Sequence, residues 1–264
     1  MVVALRCRHG ATCHRLRQRY SDFLEPERSP DVVITLKVEA GASFLEPEPG
    51  PWVVKTSRDE QRLNFESYFE RGWVDLEKGR AELEMRPQSS PENFLRVVFA
   101  HLALERNCLL VHAAGVVREG KAYVFFGPSG SGKTTSVGLA PDGVILSDDM
   151  VLLRVAEDEV IVQGVPFRSD QPATPRNNIA KPAAAIFSLR KAPQHALAEL
   201  SKAQASAGLL ACVPFVYDYP PAGLQAMAVV DRILHSTPVI QLSFRRDPLF
   251  WELIEQRLAT RPGS

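Results

Sequence analysis

Gly127, Gly130 and Gly132 lead into Lys133, Thr134 and Thr135, and a pair of acids, Asp148-Asp149, begins fifteen residues after the lysine. The segment "GPSGSGKT" satisfies G-x-x-x-x-G-K-[ST] through Gly127, Gly132, Lys133 and Thr134. Each residue type answers one need of a bound phosphate chain. The glycines let the backbone curl until successive N–H groups face one anion. A helix starting at the lysine adds the positive end of its dipole. Lys133 offers a compact charge to the β- and γ-phosphates. The Thr134 hydroxyl can share a Mg²⁺ ion, which takes its oxygen ligands from a few protein groups and from the phosphates. The expected ATP-binding residues are Gly127, Pro128, Ser129, Gly130, Ser131, Gly132, Lys133, Thr134 and Thr135.

The acids close an apolar run, "VILSDD". A buried strand ending in carboxylates delivers them to the sheet edge where the glycine loop also opens. One carboxylate can hold Mg²⁺, and its neighbour can take a proton from an attacking hydroxyl. Successive strand residues point to opposite faces, so both acids could serve one metal only across a kink. That favours a division of labour, one metal ligand and one base. A separation of fifteen positions from Lys133 to Asp148 leaves room for a short helix and one strand. Loop and acids therefore form one local unit, not the two ends of a long parallel crossover.

The elements that must position these residues are legible on either side. "AYVFFG" is an apolar strand feeding the loop, and "REGK" joins it to "CLLVHAAGVV" as an antiparallel hairpin, which argues against an all-parallel sheet. "KTTSVGLA" allows only about two helical turns, and "PDG" ends it. "VILSDDMVLLRV" reads as a strand interrupted at the acids, "AEDE" as a turn and "VIVQGVPF" as a further strand. Upstream, "SSPENFLRVVFAHLALERN" predicts a buried helix with Ser90 as N-cap and Pro91 at its first position. Downstream, "ALAELSKAQASAGLLA" and "PLFWELIEQRLA" read as helices and "PVIQLSF" as a strand, among proline loops.

The 264 residues, 45% of them hydrophobic, suit one large domain or a medium one with a small companion. The 31 basic and 31 acidic side chains balance, so nothing points to nucleic acid or a membrane surface as partner. No apolar run approaches the roughly 18 residues of a span, and the start lacks a secretory pattern, so a cytoplasmic location is expected. Cys7, Cys13, Cys108 and Cys212 are too few for a disulfide scaffold. "CRHGATCH" offers Cys7, His9, Cys13 and His14, but at a spacing that fits no common zinc pattern. Residues 1–24 read as a flexible basic N-terminus. Short β-type runs such as "DVVITLKVEA" and "RGWVDLEKGRAELEMRP" make 25–86 a small β-rich domain, and 87–264 the main domain.

"VHAAGVV" with His112, the hairpin return, "GPSGSGKTT" and the strand ending in Asp148-Asp149 together resemble the catalytic domain of the HPr kinase/phosphorylase family. "FFGPSGSGKTT" followed by "ILSDD" also resembles ATP-dependent phosphoenolpyruvate carboxykinase, which shares that nucleotide core. The resemblance is good over about 90–190 and weaker through "PVIQLSFRRDPLFWELIE", similar to the end of HPr-kinase-like proteins found near peptide-modification clusters. It implies an α/β fold, with a mixed-sheet P-loop kinase core beside the small β-rich N-terminal domain. It implies an ATP- and Mg²⁺-dependent kinase acting on a hydroxyl, by resemblance a serine of a small protein or peptide, and a homo-oligomer. In that scheme Lys133 binds phosphate, Thr134 and Asp149 hold Mg²⁺, Asp148 is the preferred base, and His112 lies near the γ-phosphate. The family's glutamate after the Asp-Asp strand has no match in "VQGVPFRSDQPATPRNN", which separates this chain from the kinases that act on HPr itself. Arg168 and Arg176 in that stretch could steady the transferred phosphate. The alternatives are a carboxykinase-like or other small-molecule kinase, or a non-enzymatic ATP-binding partner in a peptide-modification cluster.

Overall fold

A computed structural model describes residues 1–260 apart from 47, 48, 50, 51, 60, 158 and 170–173. Asp158 of the expected "AEDE" turn and the middle of the expected proline loop thus lie outside the described residues. The chain divides into two units, Met1–Glu105 with Phe215–Gly223, and Arg106–Pro214 with Leu224–Ser264.

The first unit runs β1 (Val3–Cys7), α1 (Gly10–Arg19), β2 (Val32–Val38), β3 (Lys55–Arg58), β4 (Leu63–Glu66), β5 (Glu70–Asp75), β6 (Arg80–Met85) and α2 (Glu92–Glu105). Its six strands lie in the order β1-β2-β6-β5-β4-β3, parallel from β1 to β6 and antiparallel from β6 to β3. In β2, Val32, Ile34 and Leu36 alternate inward, the period-2 pattern of a sheet with one buried face. Phe65 of β4 meets Phe94 of α2 at 5.3 Å between ring centroids. That contact explains why α2 clusters with this unit, although its sequence predicted a helix of the main domain beginning at 87.

Residues 1–24, expected to be flexible, instead supply the edge strand β1 and the helix α1. Of the five arginines of that segment, Arg15 and Arg19 find partners remote in sequence, which no local pattern reports. Arg19 Nε donates to Glu92 Oε2 (2.8 Å), and Arg96 Nη2 reaches the other oxygen of the same buried carboxylate (3.2 Å). Arg15 donates to the carbonyls of Pro87 (2.5 Å) and Ser89 (2.6 Å). α2 begins at Glu92, with Leu95 N–H bonded to Pro91 O at 2.9 Å.

His101 of α2 is buried and its Nε2 lies 3.0 Å from Phe215 O. Burial pushes the imidazole below its ordinary value; the Phe215 carbonyl opposes that and nearby Arg58 adds to it. A base whose folded pKa is depressed takes up fewer protons than in the unfolded chain, so folding loses free energy as pH falls below the unfolded value near 6.5. Denaturant midpoints measured at pH 7.5 and pH 5.5 should drop at the lower pH. The drop should shrink in His101→Gln.

The second unit runs β7 (Cys108–Val111), β8 (Ala113–Arg118), β9 (Lys121–Phe126), α3 (Lys133–Gly138), β10 (Val144–Ser147), β11 (Val151–Ala156), β12 (Glu159–Gly164), β13 (Ala180–Lys191), β14 (Ala196–Glu199), α4 (Lys202–Leu210), α5 (Pro220–Ser236, its first residues in the 215–223 segment), β15 (Val239–Phe244) and α6 (Phe250–Ala259). The β8–β9 hairpin turns on Glu119 and Gly120, both at positive φ, as a tight two-residue loop requires. Nine strands form one mixed sheet in two limbs that share β13. One limb is β7-β11-β12, pairing with the start of β13. The other is β10-β8-β9, pairing in parallel with the rest of β13, beyond which lie β15 and β14.

Two features depart from the sequence expectation. "KPAAAIFSLRK" is a long central strand, although alanines and Pro182 within it read as loop. Pro182 is tolerated beside a register shift between Ala183 and Ala185. "ALAE" is strand β14 and not the start of a helix; α4 starts only after the Ser201–Gln204 capping box. Between the strands, Phe125 stacks on Phe187 at 5.4 Å, with Phe250 and Trp251 of α6 edge-on to Phe125. That aromatic core fixes β9 and β13, the strands that border the glycine loop. Among the described residues no helix is long and apolar enough to cross a membrane.

Candidate functional site: a glycine loop beside a seam in the sheet

The chain leaves β9 at Phe126, turns through residues 127–132 and re-enters regular structure at α3. Gly127, Gly130 and Gly132 all take positive φ. At Gly132 the requirement is double: φ is 106°, and a Cβ would stand 2.6 Å from the Phe244 ring. A side chain there would meet both backbone strain and an aromatic wall. Pro128, Ser129 and Gly130 are exposed at the tip, whereas Gly127, Ser131 and Lys133 are buried, and Thr134 and Thr135 are half-buried.

Lys133 folds back over its own loop. Its Nζ donates to Gly127 O (3.0 Å) and Pro128 O (3.3 Å). Burial lowers its pKa, opposed by the charges of Cys212 and Asp149. The Ser131 hydroxyl is buried without a hydrogen-bond partner among the described residues. A buried donor with no partner is costly unless a ligand completes it. The exposed loop tip, the lysine ammonium and this orphan hydroxyl could together hold a polyphosphate.

The acids sit where the chain passes between the two limbs of the sheet. It crosses once at His112, between β7 and β8, and again at Asp148-Asp149, between β10 and β11. The crossings lie side by side, because Val111 pairs with Val151 and Gly115 with Ser147. Ser147 makes the second bend: its Oγ accepts from the N–H groups of Asp149 and Met150, both at 3.2 Å. This is the kink that adjacent acids need in order to serve one site. His112 accordingly lies on a bend and not within a strand, with its backbone N–H donated to Cys212 O (2.7 Å) and its side chain nearly half exposed (46%).

The two carboxylates have different company. Asp148 Oδ2 accepts from Ser169 Oγ (2.9 Å) and, in a longer contact, from Thr134 Oγ1 (3.4 Å). Asp149 Oδ1 lies 3.9 Å from His112 Nδ1. Both acids are buried, at 6% and 8% exposure. Oxygen donors from Thr134 and Asp148 together suit a hard cation such as Mg²⁺.

Two neighbours of the loop were not read from the sequence. Ser169 follows β12 in a loop brought back by Asn177, whose backbone N–H and side chain bond Leu146 O (3.1 Å) and Ile145 O (2.7 Å). Gly164 makes room for that return, since a Cβ there would stand 1.9 Å from Asn177 O. Nothing in the local spacing marks Ser169. Cys212, in the apolar run "LACVP", has its thiol pushed up by burial, against the opposing effects of the Gly127 N–H and Lys133. Arg176, a candidate phosphate contact by sequence, is buried and bonded to Pro166 O.

Residues 89–219, slightly less than half of the chain, match the family model described as SynChlorMet cassette protein ScmC. Among solved structures the chain is similar to the Hpr(Ser) kinase/phosphatase from Coxiella burnetii, with 14% identity over 57% of this chain and 97% of that one, at a TM-score of 0.32. No curated protein matches.

Proposed function

We propose that the chain is an ATP-dependent kinase that transfers the γ-phosphoryl group to a hydroxyl, a serine of a small protein or peptide by the family resemblance. The observation that carries the reading is the meeting of Asp148 with Thr134 beside a buried loop lysine. Phosphoryl transfer asks a protein mainly for alignment and charge neutralisation. Loop amides and Lys133 would meet the phosphate oxygens. Thr134 and Asp148 would hold Mg²⁺, which when bound neutralises charge on the phosphates. The contacts favour the reverse of the assignment expected from sequence. Asp148 shares the hydroxyl expected on the metal, which leaves Asp149, beside His112, as the base. Asp149 would take the acceptor proton as the acceptor oxygen bonds to phosphorus and the bond to the ADP oxygen breaks. His112 would act as a positioning residue for that carboxylate.

The test is incubation with γ-labelled ATP, Mg²⁺ and candidate precursor peptides, with mass analysis of the acceptor. Label on a peptide serine, lost on chelating Mg²⁺, is the expected result. Label on a metabolite in the absence of peptide would instead favour a small-molecule kinase. ATP bound but never consumed would leave only a nucleotide-binding partner.

A further inference from the structure

The segment "CRHGATCH" takes no part in the nucleotide site, yet its side chains are not idle. His9 is the N-cap of α1: its Nδ1 accepts from Thr12 N–H at 3.3 Å and lies 2.9 Å from Thr12 Oγ1. His14 is exposed on the helix. Neither imidazole is placed with the cysteines as a ligand, and no set of three or more metal-binding side chains occurs among the described residues. The two thiols are placed together. Cys7 ends β1, and Cys13 lies in the first turns of α1 with its Sγ 2.9 Å from Cys7 O. The Cys7 thiol lies 3.5 Å from His9 O, across the same turn.

We propose that Cys7 and Cys13 form a redox-active dithiol that closes reversibly to an intramolecular disulfide across the β1–α1 turn, by exchange with a low-molecular-weight disulfide such as oxidised glutathione. Their backbones are already held in register. Cys13 N–H bonds His9 O at 2.9 Å, while Arg15 pins α1 through the carbonyls of Pro87 and Ser89. Closure needs the two sulfurs to approach to about 2.05 Å, and the Cys13 sulfur already lies 2.9 Å from the carbonyl of Cys7 itself. Burial and the Cys13 thiol hold Cys7 protonated at rest, while the Arg15 charge favours its thiolate; exchange requires the thiolate. In the first step one protein thiolate attacks a sulfur of glutathione disulfide and expels one glutathione. In the second the other cysteine attacks the mixed disulfide and expels the second. Two electrons pass to glutathione, and the two protein thiol protons end on the two glutathione thiols. Cys108 and Cys212, in the other unit, are not placed together by any contact of this kind.

The experiment is equilibration of the full chain with glutathione buffers from reducing to oxidising, acid quench, alkylation and tryptic mass mapping. Trypsin cuts after Arg8, between the cysteines. The expected product in oxidising buffer is Cys7-Arg8 joined to His9–Arg15, lighter by two hydrogens than the sum of the reduced peptides and restored by reduced glutathione. Cys13→Ser should give only a glutathione adduct on Cys7. The proposal is overturned if the wild type carries separate glutathione adducts on both cysteines, cross-links to a second chain, or stays alkylatable at both in excess oxidised glutathione. Circular dichroism of the Cys13→Ser chain checks that loss of closure is not loss of fold.

Discussion

Lys133→Ala is expected to lower nucleotide-dependent phosphate transfer at least about 10³-fold, about 4 kcal/mol of transition-state stabilisation. The size follows from where the ammonium sits. It is buried and held by two loop carbonyls, so it would meet a bound phosphate in a site with little water to screen the charge. Alanine removes the charge and also leaves Gly127 O and Pro128 O without their donor. The loop should then bind ATP more weakly as well as transfer more slowly. Lys133→Arg should not rescue, because a planar guanidinium has neither the size nor the single-point geometry of the ammonium. ATP affinity by calorimetry and turnover with labelled ATP separate the two losses. A Lys133→Ala chain that folds and keeps wild-type turnover would remove the loop from the chemistry.

Much of this site can be read in the sequence because its parts are local. Loop, lysine and threonine are fixed by one strand–turn–helix, and the acids follow after one short helix and one strand. Alternation along the strand favours a division of labour between Asp148 and Asp149, since both could meet one metal only across a kink. The agent of the kink, Ser147, is the "S" of "SDD", but its hydroxyl's two backbone bonds depend on the turn it helps to make. Ser169 was not legible, because a loop that returns through Asn177 to β10 is a tertiary fact. Apolar residues flank His112 on both sides, a pattern that reads as strand. The bend there arises from β7 and β8 pairing with different neighbours, β11 and β10, which no local pattern reports.

The same division runs through the fold. The β8–β9 hairpin, the short α3 and α6 follow from turn residues and helical periodicity. β13 does not: alanines and a proline argue against a strand, and only pairing with β9, β12 and β15 makes it the sheet's shared member. The N-terminal segment fails for a further reason. Arg15 and Arg19 look like part of a solvated tail until Glu92 and the carbonyls of Pro87 and Ser89, far along the chain, are seen to receive them.

Exchanging the two acids for amides one at a time should give unlike defects. Asp149→Asn removes the proposed base, so turnover at saturating ATP and acceptor should fall by about 10²–10⁴, with ATP affinity within several-fold. The acid limb of its pH–rate profile should vanish, because that limb reports the carboxylate that must be ionised. Asp148→Asn keeps an oxygen that can accept from Ser169 but loses the charge beside Thr134. Its defect should lie in the Mg²⁺ concentration needed for half-maximal rate, with the acid limb retained. If the two variants exchange behaviour, with Asp148→Asn flattening the profile and Asp149→Asn raising the Mg²⁺ requirement, the roles follow the sequence expectation instead. The pairing of Asp148 with Thr134 in the unliganded fold is then a resting contact that the nucleotide breaks. Wild-type turnover in both variants would deny either acid a part in the reaction. The bend at Ser147 would then serve only to carry the chain from one limb of the sheet to the other.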